Sequence, residues 1–230
     1  MTEEGTTFDL PFQWDDGTFV SPFVRSAAAG LPPLGLYLTT HMLKGREGHQ
    51  EQDEKDEEWV ISDLGCGDGT ALFGIIEEMQ RQLHASARHG VHIRGVGYDL
   101  DAALVEMAIA AAPQHCGQFH HHQGGSEGQS SSGDLYQFFV QDLGQMSADD
   151  VLNGGLLSTT VSLRRHVVFV YLLTSALEVL QDLIEALLAR VEVLISNSWS
   201  IPYLEKYLVA KVGEHWVYQW NAAQATVPSQ

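Results

Sequence analysis

Residues Trp59-Val60-Ile61-Ser62-Asp63-Leu64-Gly65-Cys66-Gly67-Asp68-Gly69-Thr70 form an apolar run that breaks into an acid and three alternate glycines. That pattern predicts a buried strand turning sharply into a helix N-terminus. Glycine removes the side chains that would block a ligand or forbid the turn. The helix start adds backbone N–H donors and a partial positive field. Together these suit a nucleotide-type ligand lying against bare backbone. Two later acids are placed to serve the same ligand. Gly97-Tyr98-Asp99 closes a second apolar run, and the Asp99 carboxylate can accept ribose hydroxyls there. Phe139-Val140-Gln141-Asp142 closes a third, which suits Asp142 to an adenine amine.

Spacing separates two kinds of ligand. A dinucleotide fingerprint reads Gly-x-Gly-x-x-Gly, whereas from Gly65 the third glycine here comes one position early. Asp68 also stands at the mouth, where a pyrophosphate would meet like charge. An acid there is better matched to an ammonium and a sulfonium, as in S-adenosylmethionine. The candidate cofactor set is Asp63, Gly65, Cys66, Gly67, Asp68, Gly69, Asp99, Leu100, Asp142 and Leu143. Taken singly, Asp99 and Asp142 are equally well explained as helix caps or solvated loop acids. In register behind this glycine loop they favour the ligand.

Alternating elements are expected to position these groups. Strands are predicted at Val60 to Leu64, Val91 to Leu100, Leu135 to Gln141, His166 to Leu172 and Val191 to Ser196. Helices are predicted at Thr70 to His84, at Ala102 to Ala112 (stopped by Pro113) and at Ser175 to Arg190. Glu205 to Val212 and His215 to Trp220 flank Gly213-Glu214 and read as an antiparallel hairpin. The expected fold class is α/β, a doubly wound, mostly parallel sheet with a C-terminal antiparallel hairpin. Residues 1–58 are expected to form an N-terminal arm with a short helix near Gly35 to Leu43 and an acidic connector at Gly45 to Glu58. Residues 59–230 are expected to form the ligand-binding domain. The connector's acids read as solvated surface, and the His-, Gly- and Ser-rich stretch Gln118 to Gly133 reads as a flexible insertion.

Composition limits the partners. Thirty acidic against 12 basic side chains leave a formal charge of -18, which repels a phosphate backbone and argues against broad, non-specific nucleic-acid binding, so no nucleic-acid partner is expected. Such a charge suits a basic protein partner, although solubility is the plainer reading. Cys66 and Cys116 are the only cysteines and suggest no disulfide framework. Neither a signal peptide nor a membrane span is expected from the sequence, which points to an intracellular, soluble, cytoplasmic chain. His115 and His120-His121-His122 lack the fixed spacing of a metal site, so no metal is expected. Cys66 has no predicted His base beside it and reads as a small residue that fits the turn.

From Trp59 to about Trp199 the chain resembles class I S-adenosylmethionine-dependent methyltransferases, which are Rossmann-like. More narrowly, it resembles the lysine methyltransferases of the ATP synthase c subunit and the adenine nucleotide translocase. Ser21-Pro22-Phe23-Val24-Arg25 resembles their short segment ahead of the glycine loop. Asp63-Leu64-Gly65-Cys66-Gly67-Asp68-Gly69 matches their Asp-Leu-Gly-Ser-Gly-Asp-Gly with cysteine for serine. Gly97-Tyr98-Asp99-Leu100-Asp101 is similar to their Gly-Tyr-Glu-Leu-Asn. Val167 to Leu173 and Ile195 to Pro202 resemble their fourth and fifth strands. Arg25 and Thr174 stand where that family has prolines.

The resemblance implies a protein-lysine N-methyltransferase, and by that resemblance alone a mitochondrial setting becomes an alternative. Methyl transfer of this kind is an in-line displacement onto a deprotonated amine, driven mainly by alignment. Phe23, Tyr171, Thr174 and Trp199 are the candidates to line an apolar acceptor channel, with ordinary core packing as the alternative reading. No general base is nominated. A small-molecule methyltransferase, a non-catalytic binding module and, more distantly, a nicotinamide oxidoreductase remain as alternative functions.

Overall fold

A computed structural model describes residues 25–44, 57–86, 90–116, 135–154 and 163–220. Phe23, most of the acidic connector, the His/Gly/Ser insertion and the triple histidine lie outside the described residues.

Continuous apolar runs mark strands buried on both faces, and β1 (Glu57–Leu64) is buried along its whole length. It pairs in parallel with β2 (Val91–Asp99) on one side and β4 (Leu163–Val170) on the other. β3 (Tyr136–Val140) extends the sheet beyond β2, and β5 (Val193–Asn197) extends it beyond β4, both in parallel. The remaining strands, β6 (Leu208–Val212) and β7 (His215–Tyr218), form the expected antiparallel hairpin, which joins the sheet through β7 and β5. The seven-stranded order is β3-β2-β1-β4-β5-β7-β6. Chain progression therefore reverses between β1 and β4, the place where doubly wound sheets open a crevice at their C-terminal edge.

Strand alternation divides the core into two layers. Trp59, Ile61, Val167 and Phe169 face α1 (Leu31–Lys44), α2 (Thr70–Ala85) and α3 (Ala102–Cys116). Val60, Leu64, Val168 and Val170 face α4 (Ala148–Asn153), α5 (Thr174–Val179) and α6 (Gln181–Leu188).

Three expectations are corrected and one helix is added. α3 runs through Pro113 to Cys116 instead of stopping. A proline near the end of a helix forfeits one hydrogen bond. His115 then anchors the last turn, stacking on Phe73 at 4.1 Å and meeting Glu77 through Nδ1. The helix expected from Ser175 to Arg190 is two helices. It breaks at Leu180, whose φ of -92° and ψ of 13° leave helical geometry. α4 was not anticipated, although Ser147 and Asp150 form a capping box at its start. Finally, Glu57 and Glu58 belong to β1 and are buried rather than solvated. Glu58 takes Arg94 at 3.0 Å and Arg164 at 2.6 Å, and Glu57 lies 3.5 Å from Arg165.

Candidate functional site

The loop after β1 is built from alternate left-handed glycines, with φ of 83° at Gly65, 54° at Gly67 and 79° at Gly69. Side chains are excluded at two of them by contact as well as by conformation. A Cβ on Gly65 would sit 2.6 Å from the Leu172 side chain, and one on Gly69 2.8 Å from the Phe73 ring. The N–H groups of Gly65 and Cys66 both donate to the Tyr98 carbonyl, at 2.8 and 3.0 Å, which folds the turn against β2.

This turn, the ends of β2 and β3, and the β4–α5 connection enclose a cavity of about 730 Å³. Asp63, Gly65, Cys66, Asp68, Asp99, Leu100, Asp142 and Leu143 all line it; Gly67 and Gly69 shape the turn without lining it. Asp99 is fixed by two backbone donors, the N–H of Gly67 at 2.7 Å on Oδ2 and that of Asp101 at 2.9 Å on Oδ1. Each carboxylate oxygen keeps a further lone pair for a ligand hydroxyl. Asp142 caps the short turn Leu143–Gln145 by accepting the Gly144 N–H at 2.9 Å, while still facing the cavity.

The two acids of the loop differ in their surroundings. Asp68 was assigned from sequence to a cationic ligand, yet both its oxygens are engaged within the protein. Arg25 donates to Oδ2 through Nε and Nη2, each at 2.7 Å, and the Thr70 hydroxyl and N–H donate to Oδ1 at 2.7 and 3.2 Å. Asp63 is only 1% exposed, and neither of its oxygens has a partner among the described residues. Burial, reinforced by the nearby Asp99, pushes its pKa up to about 8. A buried carboxyl with no partner among the described residues is free to receive an incoming donor. The Cys66 thiol is pushed far above its usual range, first by burial and then by Asp63 and Asp99, so it stays protonated.

Tyr171 lines the cavity from the connection after β4. Thr174 begins α5, but the wall there is formed by its neighbours Leu173 and Ser175. Trp199 is 46% exposed and lies off the cavity wall, beyond the tight turn made by Ser198 with a φ of 63°. Sequence reasoning passed over Arg25 as a wall residue, and also Ser26, Ala176 and Val179. Ala176 and Val179, spaced three apart on one helix face, were the available signal. Among the described residues, no group of three or more His, Cys, Asp or Glu could hold a metal ion, and no helix is long and apolar enough to cross a membrane.

No protein-family model matches this chain, and no curated protein matches it in sequence. Solved structures share its outline. One is an RNA methyltransferase from Salinibacter ruber in complex with S-adenosyl-L-homocysteine. It is 22% identical, with a TM-score of 0.41, over 80% of this chain and 89% of that one. Another is the magnesium protoporphyrin IX methyltransferase of Synechocystis with bound S-adenosylmethionine. It is 14% identical, with a TM-score of 0.36, over 86% of this chain and 65% of that one. The strand order establishes the fold without these likenesses, and the choice of ligand rests on the cavity itself.

Proposed function

We propose that this protein is an S-adenosylmethionine-dependent methyltransferase. The observation that carries the reading is the buried Asp63 carboxyl, without a partner among the described residues, beneath a turn of left-handed glycines and in one cavity with Asp99. Asp63 accepts the ammonium of the cofactor's amino-acid end, and Asp99 accepts its ribose hydroxyls. Leu100 and Leu143 pack on the adenine, whose amine Asp142 receives. When bound, the cofactor supplies an electrophilic methyl group on a sulfonium.

We further propose a lysine side chain as acceptor. Leu172, Leu173, Ala176 and Val179 make the β4–α5 side of the cavity aliphatic, with Tyr171 as its phenol. Such a wall disfavours the charged ammonium, so the amine is held in its nucleophilic neutral form. The resemblance to the lysine methyltransferases supports the same acceptor. The charge of -18 and the cavity's acids oppose a nucleic-acid acceptor. A small apolar acceptor is the second reading, favoured by Val179 standing 82% exposed at the cavity's rim.

Isothermal titration with S-adenosylhomocysteine tests the cofactor. Binding by the native chain that is lost in Asp99→Ala and in Gly67→Arg is expected; unaltered affinity in both variants overturns the reading. Methyl-labelled cofactor with cell lysate tests the acceptor. Label on lysines of a protein fraction is expected, and label confined to a low-mass filtrate selects the second reading.

A further inference from the structure

We infer that Arg25 binds the carboxylate of the cofactor's amino-acid end, completing with Asp63 a site for an α-amino-acid zwitterion. The inference rests on the S-adenosylmethionine reading of the cavity. Arg25 supplies the one Lys or Arg side chain on the described cavity wall, against five acids: Asp63, Asp68, Asp99, Asp101 and Asp142. A ligand carboxylate entering that field is repelled unless a cation receives it. The zwitterion's other end meets Asp63, whose carboxyl is buried and has no partner among the described residues. The same cavity wall therefore offers an acid without a partner among the described residues and a cation.

Arg25 is built to act on a second anion. Its Nε and Nη2 both converge on a single oxygen of Asp68 at 2.7 Å. A guanidinium carries five N–H donors in a rigid fork, so this contact leaves donors for another carboxylate. The side chain is 62% exposed and so within reach of an entering ligand. Its backbone is secured just downstream. The buried Ser26 hydroxyl accepts the Asn197 side-chain N–H at 3.2 Å, and the Gly30 N–H donates to the Ala27 carbonyl at 2.9 Å. The segment thus spans from the glycine turn to the end of β5, and Asp68, itself held by Thr70, aims the guanidinium.

Two probes isolate the contact by calorimetry. S-adenosylhomocysteine carries the amino-acid end; 5′-methylthioadenosine keeps the adenosine and thioether but lacks it. Arg25→Met is expected to weaken the first by roughly tenfold to a hundredfold, as for loss of a charged hydrogen bond, and to leave the second within about twofold. Arg25→Lys is expected to retain part of the affinity. Unchanged binding of the second probe also shows that the variant's site is folded. Equal loss for both probes, or loss for neither, overturns the assignment while leaving the cofactor reading intact. So does recovery of S-adenosylhomocysteine affinity in Arg25→Met/Asp68→Asn, since Arg25 would then act only by neutralising Asp68. Failure of the native protein to bind either probe overturns the cofactor reading and this assignment together.

Discussion

Asp99 Oδ2 accepts the Gly67 N–H at 2.7 Å, so the end of β2 fastens the glycine turn that follows β1. The same carboxylate takes the Asp101 N–H through Oδ1, which fixes its orientation at the cavity wall. Turn shape and the proposed ligand contact are therefore coupled through one side chain.

That coupling predicts different outcomes for two substitutions. Asp99→Ala removes the turn's tie and the proposed ribose acceptor together, so S-adenosylhomocysteine affinity should fall by about a hundredfold and the melting temperature by a few degrees. Asp99→Asn keeps an oxygen for Gly67 but turns its NH2 toward the Asp101 N–H, so its melting temperature should fall less than that of Asp99→Ala while affinity falls by roughly tenfold. Equal melting temperatures for both variants would show that Gly67 does not depend on Asp99.

Asp63 makes stability and binding depend on pH in a defined direction. Its folded pKa is raised to about 8 from the model-compound value of 3.8. Below about 4 it is neutral in both states and has no effect. Between about 4 and 8 the unfolded chain ionises first, so stability falls as pH rises, and the loss levels off above the folded pKa. Asp63→Asn should flatten this slope and raise the melting temperature of the free protein at pH 7 by a few degrees, while weakening S-adenosylhomocysteine. An ammonium entering beside Asp63 favours its ionised form, so binding at pH 7 should release a proton. Calorimetry in buffers of different ionisation enthalpy measures that proton, and Asp63→Asn should abolish it.

The strands and their terminal acids were legible because parallel strands buried on both faces are written as unbroken apolar runs ending in a turn. What depended on distant residues was not. Glu57 and Glu58 close an acidic run and look solvated, and their arginines arrive only when β2 and β4 dock in register beside β1. Asp63 and Asp68 are equivalent as letters. Arg25, from the arm before α1, engages Asp68, while Asp63 has no partner among the described residues. Leu180 breaks a stretch made of good helix formers, so no local signal marked it.

The buried ion pairs at the opposite end of the sheet should matter for folding and not for the ligand. The buried Glu58 carboxylate holds the partly exposed Arg94 and Arg164. Losing a buried carboxylate that accepts charged hydrogen bonds costs about 1.5–3 kcal/mol. Glu58→Ala should therefore lower the urea midpoint strongly, while S-adenosylhomocysteine affinity measured below the transition stays native. A matching loss of affinity would show that strain from this end of β1 reaches the glycine turn.

Gly97 sits where β2 passes beneath that turn, and its missing side chain is a steric requirement. A Cβ there would lie 2.5 Å from the Phe138 ring and 2.8 Å from the Cys66 sulfur. Phe138 is held in the core, so the easier relief is displacement of the turn carrying Cys66. Overpacking of this kind costs about 1–3 kcal/mol. Gly97→Ala should therefore lower the melting temperature and weaken S-adenosylhomocysteine together. Cys66→Ala removes the sulfur that the new methyl meets, so the double variant should recover part of the lost affinity. A double-mutant cycle measures the coupling. Strict additivity would mean that the strain is relieved through Phe138, leaving the turn where it was.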